Sequence, residues 1–182
     1  MSVQPIIRWA GSKKQLLGKL KPYWRNDFSR YVEPFCGSAC LFFDLEPRAA
    51  VLGDLNPELI TTYRALRRDA GLVCECLRRI PVTEKDYYRI RAIDPKPLSE
   101  AEAAARFLYL NRNCFNGIYR TNRSGRFNVP YGPPKSGAEF NCHRILEAAK
   151  LLARADLVHG DFGETLNHVQ ANDFVYLERL TK

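Results

Sequence analysis

Four short apolar runs, separated by stretches with helical periodicity, determine the predicted architecture. The runs lie at residues 31–32, 50–54, 156–161 and 173–177. They are rich in β-branched and aromatic residues, as buried strands are. Between them, apolar residues recur at the three-to-four spacing of amphipathic helices, one near 15–24 and another from 57 onward. Strands that alternate with helices form a parallel sheet covered by helices, so the pattern predicts an α/β fold with about four parallel strands.

The first strand runs into a turn that has the features of a ligand site. Gly37 stands where a tight turn tolerates no side chain, and Ser38 is predicted to cap the next helix. Open α/β sheets bind ligands at the carboxyl ends of their strands, and Asp54 ends the second strand. A carboxylate there can hold two ribose hydroxyls, so the stretch predicts a nucleotide-type site. Helix capping by Glu33 and Asp54 is the alternative.

The middle of the chain differs in character. Residues 58–142 contain several arginine-rich helical patterns and a proline-rich break at 94–97, after which Ser99 is a predicted helix cap. We therefore expect a core made of residues 1–57 and 143–182, and an insertion made of residues 58–142.

Residues 111–132 combine arginines, asparagines, glycines and aromatic residues. Their Asn-Gly and Ser-Gly pairs predict a projecting β-hairpin. Arginine pairs bidentately with guanine, and an exposed apolar side chain can enter a base step while a base is flipped out. The segment predicts a DNA interface, the alternative being a solvated hairpin fastened to the body by its aromatic residues. The candidate DNA-binding residues are Arg112, Phe115, Asn116, Ile118, Tyr119, Arg120, Arg123, Arg126 and Asn128.

Composition narrows the class of protein. The chain has 182 residues, of which 46% are hydrophobic, enough for one domain with a core, and its net charge of +8 favours a polyanionic partner. The spacing of the six cysteines matches no zinc motif, which predicts free thiols and no metal site. No apolar run is long enough to cross a membrane and the first residues lack a signal-peptide pattern, so we expect a cytoplasmic protein.

Taken in order, these segments resemble the Dam-type (D12 class) DNA adenine-N6 methyltransferases. Residues 9–13 (Trp-Ala-Gly-Ser-Lys) are similar to the N-terminal cofactor motif of that family, 33–38 to its glycine-rich cofactor loop, and 54–56 to its ribose-binding acidic motif. Residues 110–120 and 127–132 resemble its DNA-recognition hairpin. The resemblance implies a Rossmann-like sheet with a helical, hairpin-bearing insertion and double-stranded DNA as partner.

The resemblance also implies residue roles. Phe115 or Ile118 would be the intercalating wedge, Arg120 would read guanine, and Asp161 would face the adenine pocket. S-adenosylmethionine is the implied cofactor if the pocket is retained. The implied cofactor-binding residues are Trp9, Lys13, Glu33, Phe35, Gly37 and Asp54.

The match departs from the family at one decisive place. The family's catalytic motif, Asp-Pro-Pro-Tyr, should follow the fourth strand, and here Glu178 is followed by Arg-Leu-Thr-Lys at 179–182. These residues lack the proline carbonyl and the tyrosine ring that activate and stack on adenine in the family. We therefore expect a truncated member that has lost methyl transfer.

Three functions are compatible with the sequence. The preferred hypothesis is a base-flipping DNA N-glycosylase, a hydrolase that needs no cofactor and uses buried carboxylates to leave an abasic site, in defence against foreign DNA. A methyltransferase with weak or no activity, and a non-catalytic sequence-specific DNA-binding protein, are the alternatives. The candidate catalytic residues are Glu33, Asp54, Asp161 and Glu178.

The fourth strand raises a question of association. In a sheet ordered third, second, first, fourth, that strand lies at an edge, where Phe174 and Tyr176 would face solvent. Exposed apolar edges promote pairing between chains. We expect this edge to be hidden by self-association in a homodimer or by a helix of the insertion.

Overall fold

A computed structural model describes residues 3–133 and 140–178 of the chain. Its four parallel strands form one sheet in the order β3-β2-β1-β4. They comprise β1 (Tyr31–Glu33), β2 (Ala50–Asp54), β3 (Ala155–His159) and β4 (Phe174–Val175). In the register, Tyr31 lies between Ala50 of β2 and Phe174 of β4. The predicted Rossmann-like parallel sheet is confirmed.

Helices cover the sheet and form the insertion. They are α1 (Leu17–Leu20), α2 (Cys40–Leu45), α3 (Pro57–Arg78), α4 (Glu84–Ala92), α5 (Glu100–Asn113), α6 (Cys142–Leu152) and α7 (Phe162–Leu166). The long helix α3 is tied to the sheet, because Arg64 and Arg67 donate hydrogen bonds of 2.8 Å to the carbonyls of Leu157 and Ala155 in β3. It also packs against α5 and α6. Because α3 contacts both the predicted core and the predicted insertion, its packing does not separate the two units. The division at residue 58 stays a prediction.

Helix caps in the insertion follow local sequence rules. Ser99 caps α5 in a reciprocal arrangement, in which the Glu102 amide donates to the Ser99 hydroxyl at 3.3 Å and the Ser99 amide donates to the Glu102 carboxylate at 3.0 Å. The predicted cap at Ser99 is confirmed.

The predicted N-terminal helix is broken. Short 3₁₀ turns at Lys14–Leu16 and Lys21–Tyr23 flank α1, which is only four residues long. Pro22 provides no amide for a continuing helix and Gly18 weakens one. The amphipathic spacing was correct, but these two residues prevent one continuous α-helix.

Ser38 does not cap α2, contrary to the prediction. The residue before the helix is Ala39, whose φ of 49° lies in the left-handed region, and no side chain caps the helix. The Ser38 hydroxyl instead donates to the Ser12 hydroxyl at 3.2 Å. The loop bends one residue later than the sequence indicates, which turns Ser38 toward the N-terminal segment.

The apolar side chains of β4 are not left in solvent, contrary to the prediction. Phe174 packs against Trp24 and Phe28, with ring centroids 5.6 and 5.3 Å away, and stacks on Tyr31. The segment before β1 covers this face, rather than a helix of the insertion. Tyr176 is partly buried against the core.

All six cysteines are free thiols, as expected. None of the helices within residues 3–133 and 140–178 has the length and apolar character needed to cross a membrane.

Candidate functional site

A cavity of about 230 Å³ opens at the carboxyl ends of β1 and β2. All six predicted cofactor-binding residues line it, together with the catalytic candidate Glu178. The complete lining is Trp9, Ala10, Gly11, Ser12, Lys13, Glu33, Phe35, Cys36, Gly37, Ser38, Cys40, Asp54, Leu55, Tyr176 and Glu178. The structure thus brings together four segments that lie far apart in the chain.

Asp54 fixes the turn after β1 to the end of β2. Its carboxylate accepts hydrogen bonds from the Gly37 amide at 3.0 Å and the Asn56 amide at 2.9 Å. Burial raises the pKa of Asp54, and the backbone amides of Asn56, Gly37 and Leu55 oppose that rise. Each carboxylate oxygen has a second lone pair, so Asp54 can also accept hydrogen bonds from a ligand.

Glu33 lies deeper in the same cavity. It is 3% exposed, and its carboxylate accepts a hydrogen bond from the Tyr31 hydroxyl at 2.9 Å. Burial raises the pKa of Glu33 well above its ordinary value, and the nearby carboxylates of Glu178 and Asp54 raise it further. The protonated form of Glu33 is therefore favoured.

Lys13 and Glu178 form an ion pair that joins the N-terminal motif to the segment after β4. Lys13 also donates to the Gly11 carbonyl at 2.8 Å. Tyr176 lines the cavity beside them, and burial raises the pKa of its hydroxyl to about 12. The chain beyond Glu178, with its departure at 179–182, lies outside the described residues.

Aromatic rings form the apolar walls of the cavity. Trp9 lies directly on the turn after β1, and a Cβ at Gly37 would be 2.6 Å from Trp9 Cδ1. Gly37 also has a φ of 45°, so both space and backbone conformation require glycine. On the other side, Phe35 stacks on Phe162, with ring centroids 5.6 Å apart.

Asp161 is not among the residues that line this cavity. Its side chain caps α7 by accepting a hydrogen bond from the Gly163 amide at 3.0 Å, and the residue is exposed. Here helix capping, considered above for other acids, is what the structure shows. The other three catalytic candidates, Glu33, Asp54 and Glu178, do line it.

The predicted hairpin is present. Thr121 pairs with Phe127 in an antiparallel bridge, and the tip turns at Gly125, whose amide donates to the Asn122 carbonyl at 3.0 Å. Arg120 is exposed, and its Nε donates to the Asn128 side chain at 2.8 Å. At the base, Phe115 is 53% exposed and Ile118 is 37% exposed, on either side of a turn at Asn116 and Gly117. Arg123 and Arg126 are also exposed near the tip.

Two predicted DNA-binding residues turn toward the protein instead. Tyr119 stacks on Trp9, with ring centroids 5.5 Å apart. Arg112 lies with its guanidinium 4.9 Å from the centre of the Phe140 ring, and burial lowers its pKa.

Sequence reasoning missed Tyr63. This tyrosine of α3 is fully buried, and its hydroxyl donates to the Gly37 carbonyl at 2.8 Å, which fixes the turn from below. The sequence offers one signal of this role. Tyr63 occupies an apolar position of α3, and the hydroxyl of a buried tyrosine needs a hydrogen-bond partner.

No group of three or more histidine, cysteine, aspartate or glutamate side chains suited to a metal ion occurs within residues 3–133 and 140–178.

Comparison with known proteins covers both the cavity and the hairpin. Residues 9–178 match the sequence profile of the D12 class N6 adenine-specific DNA methyltransferases. The chain belongs to this family. It is 30% identical to Type II methyltransferase M.MjaIII of Methanocaldococcus jannaschii, over 98% of this chain and 69% of the relative. It is 34% identical to Type II methyltransferase M1.LlaDCHI of Lactococcus lactis subsp. cremoris (98% and 66%) and 33% identical to Retron Ec67 DNA adenine methylase of Escherichia coli (95% and 62%).

Membership of the D12 class overturns the preferred functional hypothesis. The expectation of a DNA N-glycosylase, and with it a hydrolase that needs no cofactor, is wrong, because the profile is that of adenine-specific DNA methyltransferases and these relatives are named as methyltransferases or an adenine methylase. Buried carboxylates beside a predicted DNA-binding hairpin suggested hydrolysis, whereas the family to which both segments match is one of methyltransferases. The chain spans about two thirds of the length of these relatives.

Proposed function

We propose that this chain is an S-adenosylmethionine-dependent DNA adenine-N6 methyltransferase of the D12 class with an impaired transfer step. The observation that carries the proposal is the cavity that all six cofactor motif residues line, within the region that matches the family. Double-stranded DNA is the proposed partner, since the hairpin exposes arginines and apolar side chains together.

The residues of the cavity fit the proposed cofactor. Asp54 has lone pairs free to accept from the two ribose hydroxyls, and Trp9 and Phe35 offer flat apolar faces. Glu33 and Glu178 line the same cavity, where a protonated Glu33 can donate a hydrogen bond to a ligand and Glu178 is neutralised by Lys13. When bound, S-adenosylmethionine would supply a methyl group for transfer to adenine N6, with S-adenosylhomocysteine as the leaving group and one N6 proton released to solvent.

The hairpin provides the means to bind DNA. Arg120 would contact a guanine edge, with its guanidinium oriented by Asn128. Phe115 or Ile118 would enter the duplex and help extrude the adenine. Arg123 and Arg126 would contact phosphates. These contacts position the DNA, and none of them depends on the transfer motif.

The transfer step is where this chain departs from its family. Glu178 stands at the position of the motif's aspartate and is paired with Lys13. Arg179, Leu180 and Thr181 offer neither the proline carbonyl nor the stacking ring of the motif. We therefore expect cofactor and DNA binding with methyl transfer orders of magnitude slower than in a relative that has Asp-Pro-Pro-Tyr.

Binding and transfer of labelled S-adenosylmethionine, measured separately, test the proposal. Wild type should bind cofactor and DNA but incorporate little methyl label, and should produce no abasic sites. Arg120→Ala should weaken DNA binding by about 1–3 kcal/mol at every salt concentration, whereas the exposed Arg25→Ala, a matched control, should not. Absence of both cofactor and DNA binding would overturn the proposal, and methyl incorporation as fast as in an intact relative would overturn its second part.

Two finer statements belong to the same proposal. We propose a cytoplasmic location, where DNA is accessible. We also propose a homodimer that pairs through the outer edge of β4.

A further inference from the structure

Tyr119 occupies the junction between the hairpin and the body of the protein. Its neighbours Ile118 and Arg120 are exposed, while its own ring turns inward. The ring stacks on Trp9 at 5.5 Å between centroids with an interplanar angle of 23°, and lies 5.7 Å from Phe107 and 5.6 Å from Phe127. Tyr119 therefore contacts the protein where its neighbours are free to contact DNA.

The hydroxyl of Tyr119 is held by a charged pair made of the partly buried Glu58 and the buried Arg106. It donates to one Glu58 oxygen at 3.0 Å, and the other Glu58 oxygen lies 3.4 Å from Arg106 Nη1. Arg106 is 4% exposed, and its remaining nitrogens donate to the carbonyls of Ile90 and Arg91. Both ends of the Tyr119 side chain are thus fixed, the ring by aromatic packing and the hydroxyl by Glu58.

Trp9 carries the contact into the cavity. It stacks on Tyr119, lines the cavity and lies against Gly37, whose amide is held by Asp54. Tyr119 itself does not line the cavity. The ring of Tyr119 therefore joins Trp9 of the cavity to Phe127 of the hairpin, and it is the residue next to Arg120 in the chain.

We infer that Tyr119 is a positioning residue that holds the DNA-recognition hairpin in register with the cofactor cavity through Trp9 and Glu58, and that it does not contact DNA. The inference rests on the proposed function. A residue that only contacts DNA would not affect cofactor binding in the absence of DNA. Replacing the Tyr119 ring, in contrast, should alter cofactor affinity when no DNA is present. An aromatic pair contributes enough to change a binding constant by about two- to tenfold.

The experiment measures binding of labelled S-adenosylmethionine without DNA, and then binding of duplex DNA without cofactor. Tyr119→Leu should weaken both by about two- to tenfold. Tyr119→Phe keeps the stack and loses only the hydroxyl, so it should retain cofactor affinity within about twofold. The matched control is Tyr88→Leu, a 39% exposed tyrosine of α4 that does not line the cavity, which should change neither affinity.

Each outcome decides a separate question. If Tyr119→Leu weakens DNA binding alone, Tyr119 is a DNA-contact residue and the inference is wrong; if it weakens neither, the inference is equally wrong. If Tyr119→Leu does not unfold cooperatively, Tyr119→Met, which fills a similar volume without a ring, takes its place. If the wild-type chain binds neither S-adenosylmethionine nor DNA, the proposed function is wrong. This result is obtained from wild type alone, so it is distinct from failure of the inference about Tyr119.

Discussion

Two carboxyl groups in one cavity have different surroundings. Asp54 accepts hydrogen bonds from two backbone amides, which favour its charged form. Glu33 accepts one from the Tyr31 hydroxyl and is only 3% exposed. Burial raises the pKa of both, but at Asp54 the amide donors oppose that effect. Asp54 is therefore the better acceptor for ligand hydroxyls, while Glu33 is adapted to holding a proton.

The proton on Glu33 predicts a dependence of stability on pH. Because the folded chain holds this proton more tightly than the unfolded chain, the free energy of unfolding should fall as pH rises above 4.5, the ordinary pKa of glutamate. The contribution is fully present below that pH and is lost as pH rises through the folded pKa. The slope from one such group reaches about 1.4 kcal/mol per pH unit.

Glu33→Gln keeps an acceptor for Tyr31 and removes the titration. Urea unfolding of wild type and variant at several pH values between 5 and 8 should give a stability difference that grows with pH in favour of the variant. A difference that is constant across this range would show that Glu33 does not titrate as inferred.

At the scale of elements, the turn between β1 and α2 joins the parts of the cavity. It places Gly37 beneath Trp9 and leads into Ala39 in the left-handed conformation. Gly37→Ala would add a Cβ that clashes with the Trp9 ring and would strain a backbone with positive φ. We expect cofactor affinity to fall more than about tenfold, equivalent to about 1.4 kcal/mol.

Gly18→Ala provides the matched control for that substitution. A Cβ at Gly18 in α1 meets nothing within 4 Å. This variant should bind cofactor as wild type does and be as stable or slightly more stable, by about 0.5–1 kcal/mol. Calorimetric titration with S-adenosylmethionine compares the two variants, and unchanged binding by Gly37→Ala would contradict the role assigned to the turn.

The same elements separate what the sequence could predict from what it could not. Strands and the Ser99 cap depend on local periodicity and local hydrogen bonds, so the sequence identified them. The position of Ser38 depends on a left-handed residue at Ala39 and is accompanied by a hydrogen bond to Ser12, which lies 26 residues away in the chain. Asp161 follows a strand as an active-site acid would, yet it caps a helix. Local sequence does not distinguish those two uses of a carboxylate.

Tyr119 illustrates the same limit within the hairpin. The sequence predicts that Ile118, Tyr119 and Arg120 lie together on the DNA-binding surface, although side chains alternate between two faces along an extended segment. The sequence does not say which face meets the body, because Trp9 is more than a hundred residues away in the chain. Only the tertiary structure reveals that the inward side chain is Tyr119.

At the scale of the whole molecule, β4 forms one edge of the sheet. Phe174 and Tyr176 donate their amides to the carbonyls of Arg30 and Val32. The amides of Val175 and Leu177 therefore point to the outer side, where no strand pairs with them within the described part of the chain. Side-chain packing covers the face of β4, but its outer hydrogen-bonding groups are available to a second copy.

Sedimentation at micromolar concentration tests the proposed homodimer. Wild type should sediment as a dimer, and the Val175 and Leu177 amides should exchange with deuterium more slowly as protein concentration rises. A monomer at all concentrations, with both amides exchanging quickly, would exclude pairing through β4.

The ion pair between Lys13 and Glu178 also affects the order in which the protein folds. Its partners are 165 residues apart in sequence, so closing this contact carries a large entropic cost unless the pairing of β4 with β1 has already brought them together. Synthesis proceeds from the N-terminus, so Trp9 and Lys13 are made long before Tyr176 and Glu178, which form the opposite wall of the cavity. Cofactor binding should thus be acquired only after β4 has joined β1. Bound cofactor would then stabilise only molecules in which these two strands are already paired.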